Sequence, residues 1–435
     1  MKTENMPKPD YASSFIPMTI IGFLFFIFGF VTWLNGSLIP FLKIICNLSD
    51  FQALFVTFAF YISYTVMALP MAAILKKTGY RNGIVIGLAI MAGGSLLFIP
   101  AALSANYFLF LIALFVLGAG LTILQSASNP YVVFIGPMRS AAMRISIMGF
   151  INKFAGAVVP LVFAALILSD IGNVSDLTSH ELSEAEIATL SERLILPYIY
   201  MASVLIFLIG LVYFSKLPTI TETDHSQEEE QETKSILDYP QIILGTIALF
   251  LYIGIEVIAG DTIGLYGARL NLPHFATLTS YTMVFMLIGY FLGILTIPRY
   301  VSQPQALCYS AITGCLCIIG ISFSSENSSS ISEFIWGWTG IPIVPDPIFF
   351  VAALGTSNAL VWPAIWPLAL SGLGRFTHLG SALLIMSISG GALIPLAFGK
   401  LADITNDLQN SYWIGIPCYL FVLYYATKGY KMRNW

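Results

Sequence analysis

The sequence predicts an all-α membrane protein, with twelve transmembrane helices in two pseudo-symmetric six-helix bundles. Three observations predict it. Twelve long apolar runs lie along the 435 residues, and the chain is 57% hydrophobic and 10% charged, against about 25% charged in soluble domains. A polar, acidic stretch divides the runs six and six. A piece of text in the fifth run returns in the eleventh, AGAVVPLVF at 155–163 and GGALIPLAF at 390–398.

The first run, 15–42, is FIPMTIIGFLFFIFGFVTWLNGSLIPFL. About 20 apolar residues cover the hydrocarbon thickness, so it is long enough to span. It is too long for a signal h-region and lacks a small-residue cleavage site. Its Asn35-Gly36 pair costs stability in lipid, and so should face protein or a water-filled cavity. The further spans read at 51–75, 83–103, 107–134, 144–169, 195–215, 240–269, 276–297, 305–325, 346–371, 378–401 and 411–427. Between the sixth and seventh lies SKLPTITETDHSQEEEQETKSILDYP, residues 215–240, without apolar periodicity. It reads as a flexible linker, 216–239, between an N-terminal bundle, 1–215, and a C-terminal bundle, 240–435. A second polar insert, 169–194, has spaced leucines and acids and is expected to hold a short surface helix.

Basic residues set the orientation. With the N-terminus inside, the inner side collects Lys76, Lys77, Arg81, Arg139, Arg144 and most other lysines and arginines, those of the linker and C-terminal tail included. The outer side keeps Lys43, Arg193, Arg269 and Lys400. The positive-inside rule therefore puts both termini and the linker in the cytoplasm. The five cysteines have no metal-type spacing and read as buried thiols. His180, His225, His274 and His378 fall in loops or at helix ends, which argues against a histidine proton relay.

Polar residues recur on helix faces inside the spans. Gly118, Thr122, Gln125 and Asn129 share one face of the fourth, and Gly149, Asn152, Lys153 and Gly156 one face of the fifth. Gly355, Asn358, Trp362 and Trp366 line up on the tenth, and the first contributes Trp33 and Asn35. Amides both donate and accept, as sugar hydroxyls require, and an indole offers an apolar face to sugar C–H groups. The competing reading is structural: amides glue helices together and tryptophans mark the interface. Three charges lie at depth. Lys153 is nine residues beyond Arg144, about 13 Å into the bilayer at the helical rise. Glu256 and Asp261 both lie in the seventh span, and buried acids are functional candidates. The alternatives are an ion pair of Glu256 with Lys153 and an outer vestibule reached by Asp261.

The texts GFVTWLNGSLIPFLK at 29–43, GLTILQSASNPYVVFIGP at 120–137, RISIMGFINKFAGAVVP at 144–160 and WPAIWPLALSGLGRFTHLGSALLIM at 362–386 carry a resemblance. At these motifs, and in its span pattern, the chain resembles the fucose:proton symporter family of the major facilitator superfamily, in its glucose/galactose and N-acetylglucosamine branch. The loop KKTGYRNG at 76–83 is a degenerate form of the superfamily's basic loop. The resemblance implies the major facilitator fold, a bacterial inner-membrane location and sugar transport. Family amides persist at Asn35 and Asn152, and Asn129 keeps an Asn-Pro step. The family's two membrane acids do not persist: LNG puts Gly36, and LQSASNP puts Gln125, where they stand. A family glutamine corresponds to Gly149.

The expectation is a symporter for a hexose or N-acetylhexosamine, working by alternating access as a monomer. It is expected to be no enzyme, to need no cofactor and to bind no nucleic acid. The predicted substrate-binding residues are Asn35, Gln125, Asn129, Asn152, Lys153, Asn358, Trp362 and Trp366. With the family acids absent, coupling falls to Glu256 and Asp261. Sodium-coupled sugar transport within the broader family makes Na⁺ the expected coupling ion, bound at those two acids. The rivals are an H⁺-coupled symporter, an uncoupled facilitator in which Lys153 neutralises Glu256, a polytopic membrane enzyme and a drug exporter. The enzyme reading lacks a His/Asp pair, a metal-ligand cluster and a large extramembrane domain.

Overall fold

The computed structural model describes residues 15–134, 141–168, 183–215, 235–297 and 299–435, and every regular element among them is helical. Eleven of the described helices are long and apolar enough to cross a membrane. The twelfth expected span is built from contiguous shorter pieces, Leu408–Ser411, Tyr412–Ile414 and Gly415–Thr427. Helices suit this solvent because they satisfy their own backbone polar groups.

The second and third spans differ from the sequence expectation in one respect. Helix continues through most of the loop assigned to 76–83, and Phe55–Leu103 is interrupted at Gly79, with φ 75° and ψ 169°. A residue without Cβ adopts that positive φ at little cost, so one glycine reverses the chain. The insert at 169–194 does contain a helix, Glu184–Glu192, started by a Ser183–Glu186 capping box. Residues 169–182 lie outside the described residues, as do the linker residues 216–234 and the N-terminal Lys2 and Lys8.

The repeat noticed in the text has a structural counterpart. Pro160 sits inside the fifth-span helix Ala141–Phe163, and Pro395 inside the eleventh-span helix Gly390–Thr405. The fifth span packs on the first, and the eleventh on the seventh. Each contact is a close backbone approach through a glycine. A Cβ at Gly29 would lie 1.9 Å from the Asn152 carbonyl oxygen, and one at Gly390 would lie 1.8 Å from that of Phe250. The first and seventh spans also break at matching places. The first is Phe15–Trp33 then Asn35–Ile45, and the seventh is Pro240–Asp261 then Ile263–Arg269.

Between the halves, hydrogen bonds run from mid-depth to the end of the bundle away from the termini. Ser280 Oγ donates to the Ala157 carbonyl at 2.7 Å, and Ser37 Oγ to that of Ala276 at 2.7 Å. A Cβ at Gly36 would meet Thr279 Oγ1 at 2.2 Å and the Gly260 carbonyl at 2.8 Å. At that far end Asp50 bonds Lys43 of its own half and lies 3.5 Å from Arg269 of the other. Arg269 also donates to Asn406, and the Phe51 amide donates to Asp403 at 3.4 Å. The far end is closed.

Candidate functional site

The break after Trp33 ends one helix and begins another at Asn35. Trp33 and Asn35 are almost fully buried, at 2% and 1% exposure. Gly156 on the fifth span makes room for the indole, since a Cβ there would stand 2.5 Å from Trp33 Cδ1. Over the Trp33 ring sits the Lys153 ammonium, 4.3 Å from the centroid. The same ammonium donates to Glu256 Oε1 at 2.5 Å. This buried pair joins the fifth and seventh spans, one from each half, with side-chain exposures of 11% and 9%. A first-span tryptophan, a fifth-span lysine and a seventh-span acid thus form one mid-depth cluster.

The fourth-span stripe divides. Gly118 packs on the second span, where a Cβ would lie 2.3 Å from the Phe60 carbonyl oxygen. Thr122 is fully buried and donates to the carbonyl of Gly118 on its own helix at 2.8 Å. Gln125 accepts from the Tyr64 hydroxyl at 3.1 Å, while Asn129 is half-buried. On the fifth span, Asn152 Nδ2 reaches the Phe25 carbonyl at 3.4 Å, a longer contact than a standard N–H···O bond. Gly149 faces Tyr290, with the ring 3.3 Å from a built Cβ. On the tenth span Asn358 accepts from Tyr419 of the twelfth at 2.7 Å. Beyond the break at Ala359 and Leu360, the half-buried Trp362 and Trp366 rings lie 5.5 Å apart.

Glu256 and Asp261 do not converge on a shared partner. Glu256 holds Lys153. Asp261, fully buried, accepts from Thr57 Oγ1 at 3.2 Å through Oδ2. Among the described residues no group of three or more His, Cys, Asp or Glu is gathered to hold a metal ion. The five cysteines are free, but only Cys418 is fully buried. Burial pushes the Cys46 thiol, just past the first span, up to about 11.

Several buried polar atoms have no partner among the described residues: Trp33 Nε1, Asn35 Nδ2, Asn358 Nδ2, Trp366 Nε1 and Asp261 Oδ1. Four of these are N–H donors, and buried donors are normally satisfied. A ligand rich in acceptor oxygens suits them. Sequence reasoning missed the tyrosines that line this level. Tyr61 and Tyr64 of the second span stack at 6.4 Å, and both are buried. Their spacing of three in YISY places them on one helix face, which was the available signal.

Comparison with known proteins agrees with the architecture. The model of the Major Facilitator Superfamily matches residues 21–397. A glucose/galactose transporter of Brucella abortus is 32% identical over 99% of this chain and 97% of that protein. The L-fucose-proton symporter of Escherichia coli is 27% identical over 95% of this chain and 93% of that protein. The crystal structure of the transporter FucP in the outward conformation matches with a TM-score of 0.71 at 25% identity, covering 95% of this chain and 98% of that one. The chain therefore belongs to the Major Facilitator Superfamily, in its fucose:proton symporter family beside the glucose/galactose transporters, and it is a transporter and not an enzyme.

Proposed function

We propose that this protein imports a hexose or an N-acetylhexosamine together with a proton, by alternating access, across a bacterial inner membrane. The observation that carries the reading is the mid-depth cluster bridging the halves, Trp33–Lys153–Glu256, with unpartnered N–H donors on the first and tenth spans. Sugar hydroxyl, ring and acetamido oxygens accept such donors. Asn35, Asn358 and Trp366 supply them, Gln125 and Asn129 add amides, and Trp362 offers a ring face. The 3.4 Å contact of Asn152 is weak enough to be exchanged for a sugar hydroxyl. The halves are 1–215 and 240–435, joined by the linker 216–239, with both termini in the cytoplasm and a single chain as the working unit. The closed far end then corresponds to an outer gate.

A proton is favoured over Na⁺ as the coupling ion. The relatives named for a coupling ion are proton symporters, and Glu256 already holds an ammonium where a sodium ligand was expected. The second reading is an uncoupled facilitator, which the Lys153–Glu256 pair favours, because a neutralised acid carries no ion. Reconstituted protein should exchange labelled glucose or galactose by counterflow, and concentrate it under an inward proton gradient. Concentration under a Na⁺ gradient alone would reinstate sodium. Counterflow with no concentration under either gradient would establish the facilitator.

A further inference from the structure

We infer that Asp261 is the proton-carrying carboxyl of the transport cycle, and that its proton holds the outer gate shut; the inference rests on the proton-coupled reading above. Asp261 is the last residue of the helix Pro240–Asp261, immediately before the seventh-span break at Thr262. It is 0% exposed. Thr57 on the second span, in the other half, donates to its Oδ2 at 3.2 Å, and its Oδ1 has no partner among the described residues. A carboxylate with one oxygen unsatisfied in such a place is costly, whereas a carboxylic acid is tolerated. Among the described residues, no ion pair reaches Asp261. On its own helix, Glu256 stands five residues back and is bound to the Lys153 ammonium. On the second span, Tyr61 is a buried phenol and brings no cation. The next hydroxyl along, Thr262, pairs with Tyr412 of the twelfth span at 2.9 Å. On the eighth span, Thr279 spends its hydroxyl on the Gly260 carbonyl at 2.8 Å. Arg269, the cation later on the seventh span, is held by Asp50 and Asn406.

Closure of the far end and neutrality of Asp261 therefore require each other. When the halves part at that end, the Thr57 contact breaks and the carboxylate, already without its proton, is hydrated by outer water. A hydronium ion outside transfers its proton to the carboxylate, leaving water. The resulting acid packs against Thr57 and the gate closes. After the sugar leaves inward, the O–H bond breaks and the proton passes to inner water. The carboxylate left behind destabilises the closed gate and returns the carrier to its outward state. Net flow is one proton in per cycle.

The test uses the full-length protein with Ser37→Cys as a gate reporter and Cys46→Ser. Ser37 is 0% exposed and bonded across the halves. In this background, labelling by an impermeant maleimide should rise with pH, measured as accessibility corrected for reagent reactivity. Asp261→Asn should keep labelling low at every pH. It should also abolish sugar-dependent alkalinisation of the medium and sugar accumulation, and slow counterflow, because a gate held shut limits exchange at the outer side. Asp261→Glu should restore the pH response. If Asp261→Asn does not reach the membrane, Thr57→Val decides: weakening the closed state should move the labelling midpoint to lower pH, and an unmoved midpoint overturns the assignment. Proton movement and accumulation by Asp261→Asn equal to the parent protein would likewise sink it. If the parent protein moves no proton with sugar, the proposed function itself falls, and this inference with it; if the parent does and Asp261→Asn does too, this inference alone falls.

Discussion

Asp50 stands between Lys43 of its own half and Arg269 of the other, and so ties the seventh span to the second across the far end of the bundle. Arg269 reaches on to Asn406, which adopts a left-handed conformation with φ 52°, and the adjoining Phe51 amide meets Asp403. Asp50 is 8% exposed overall, while Arg269's side chain is 31% exposed. The contact is thus a partly solvated network.

Asp50→Asn should shift the carrier toward the outward state without unfolding it. A network exposed to this degree contributes about 1 kcal/mol. Accessibility of the Ser37→Cys reporter should rise severalfold at fixed pH, and the difference should shrink with added salt. Unchanged accessibility at low ionic strength would show that the cluster does not hold the gate.

Gly36→Ala should act in the same direction for a steric reason. The added Cβ meets the Gly260 carbonyl at 2.8 Å, and backbone yields less readily than a side-chain tip. Overpacking typically costs about 1–3 kcal/mol, here charged to the closed state alone. The expected result is slower counterflow with the outward state enriched. Wild-type turnover in the alanine variant would mean that the closed contact between the first and seventh spans accommodates the methyl group.

The Lys153–Glu256 pair should show strong coupling in a double-mutant cycle. Removing one partner of a buried pair costs about 3–5 kcal/mol, because the other charge is left uncompensated. Lys153→Met and Glu256→Gln alone should each lower thermal stability more than the double variant does. Additive losses would indicate that the two charges are independently hydrated.

Asn152→Ala should weaken sugar binding by about 1–3 kcal/mol, the usual cost of a lost buried hydrogen-bond partner, as read by calorimetry. Should affinity stay at the wild-type level, the amide serves the first-span contact with Phe25 and nothing else.

Topology offers the simplest check. Cysteine at position 226, introduced by Ser226→Cys in the linker, should label in intact cells with a permeant reagent only. Labelling by an impermeant one reverses the orientation drawn from the lysines and arginines.

What the sequence determined by itself follows from local properties. Apolar runs of bilayer length settle where helices cross, because no other open structure satisfies its backbone in lipid. The return of AGAVVPLVF as GGALIPLAF located the paired prolines, Pro160 and Pro395, in equivalent spans. Motif text also led to the family. Tertiary structure decided which polar groups meet, since hydrogen-bond partners here are set by helix rotation and by distant chain positions. Asn358 went to Tyr419 and Gln125 to Tyr64, partners that helical spacing alone does not name. Gly118, Gly149, Gly156 and Gly355, read as members of polar faces, are points of close packing. The fate of the two seventh-span acids shows the difference most clearly. They lie five residues apart on one helix, yet one reaches Lys153 on the fifth span and the other Thr57 on the second. Five residues turn a helix by about 500°, which leaves the two side chains about 140° apart, so they do not share a direction, and the packing of the other half decided which acid was neutralised and which was sealed in without a charge to match.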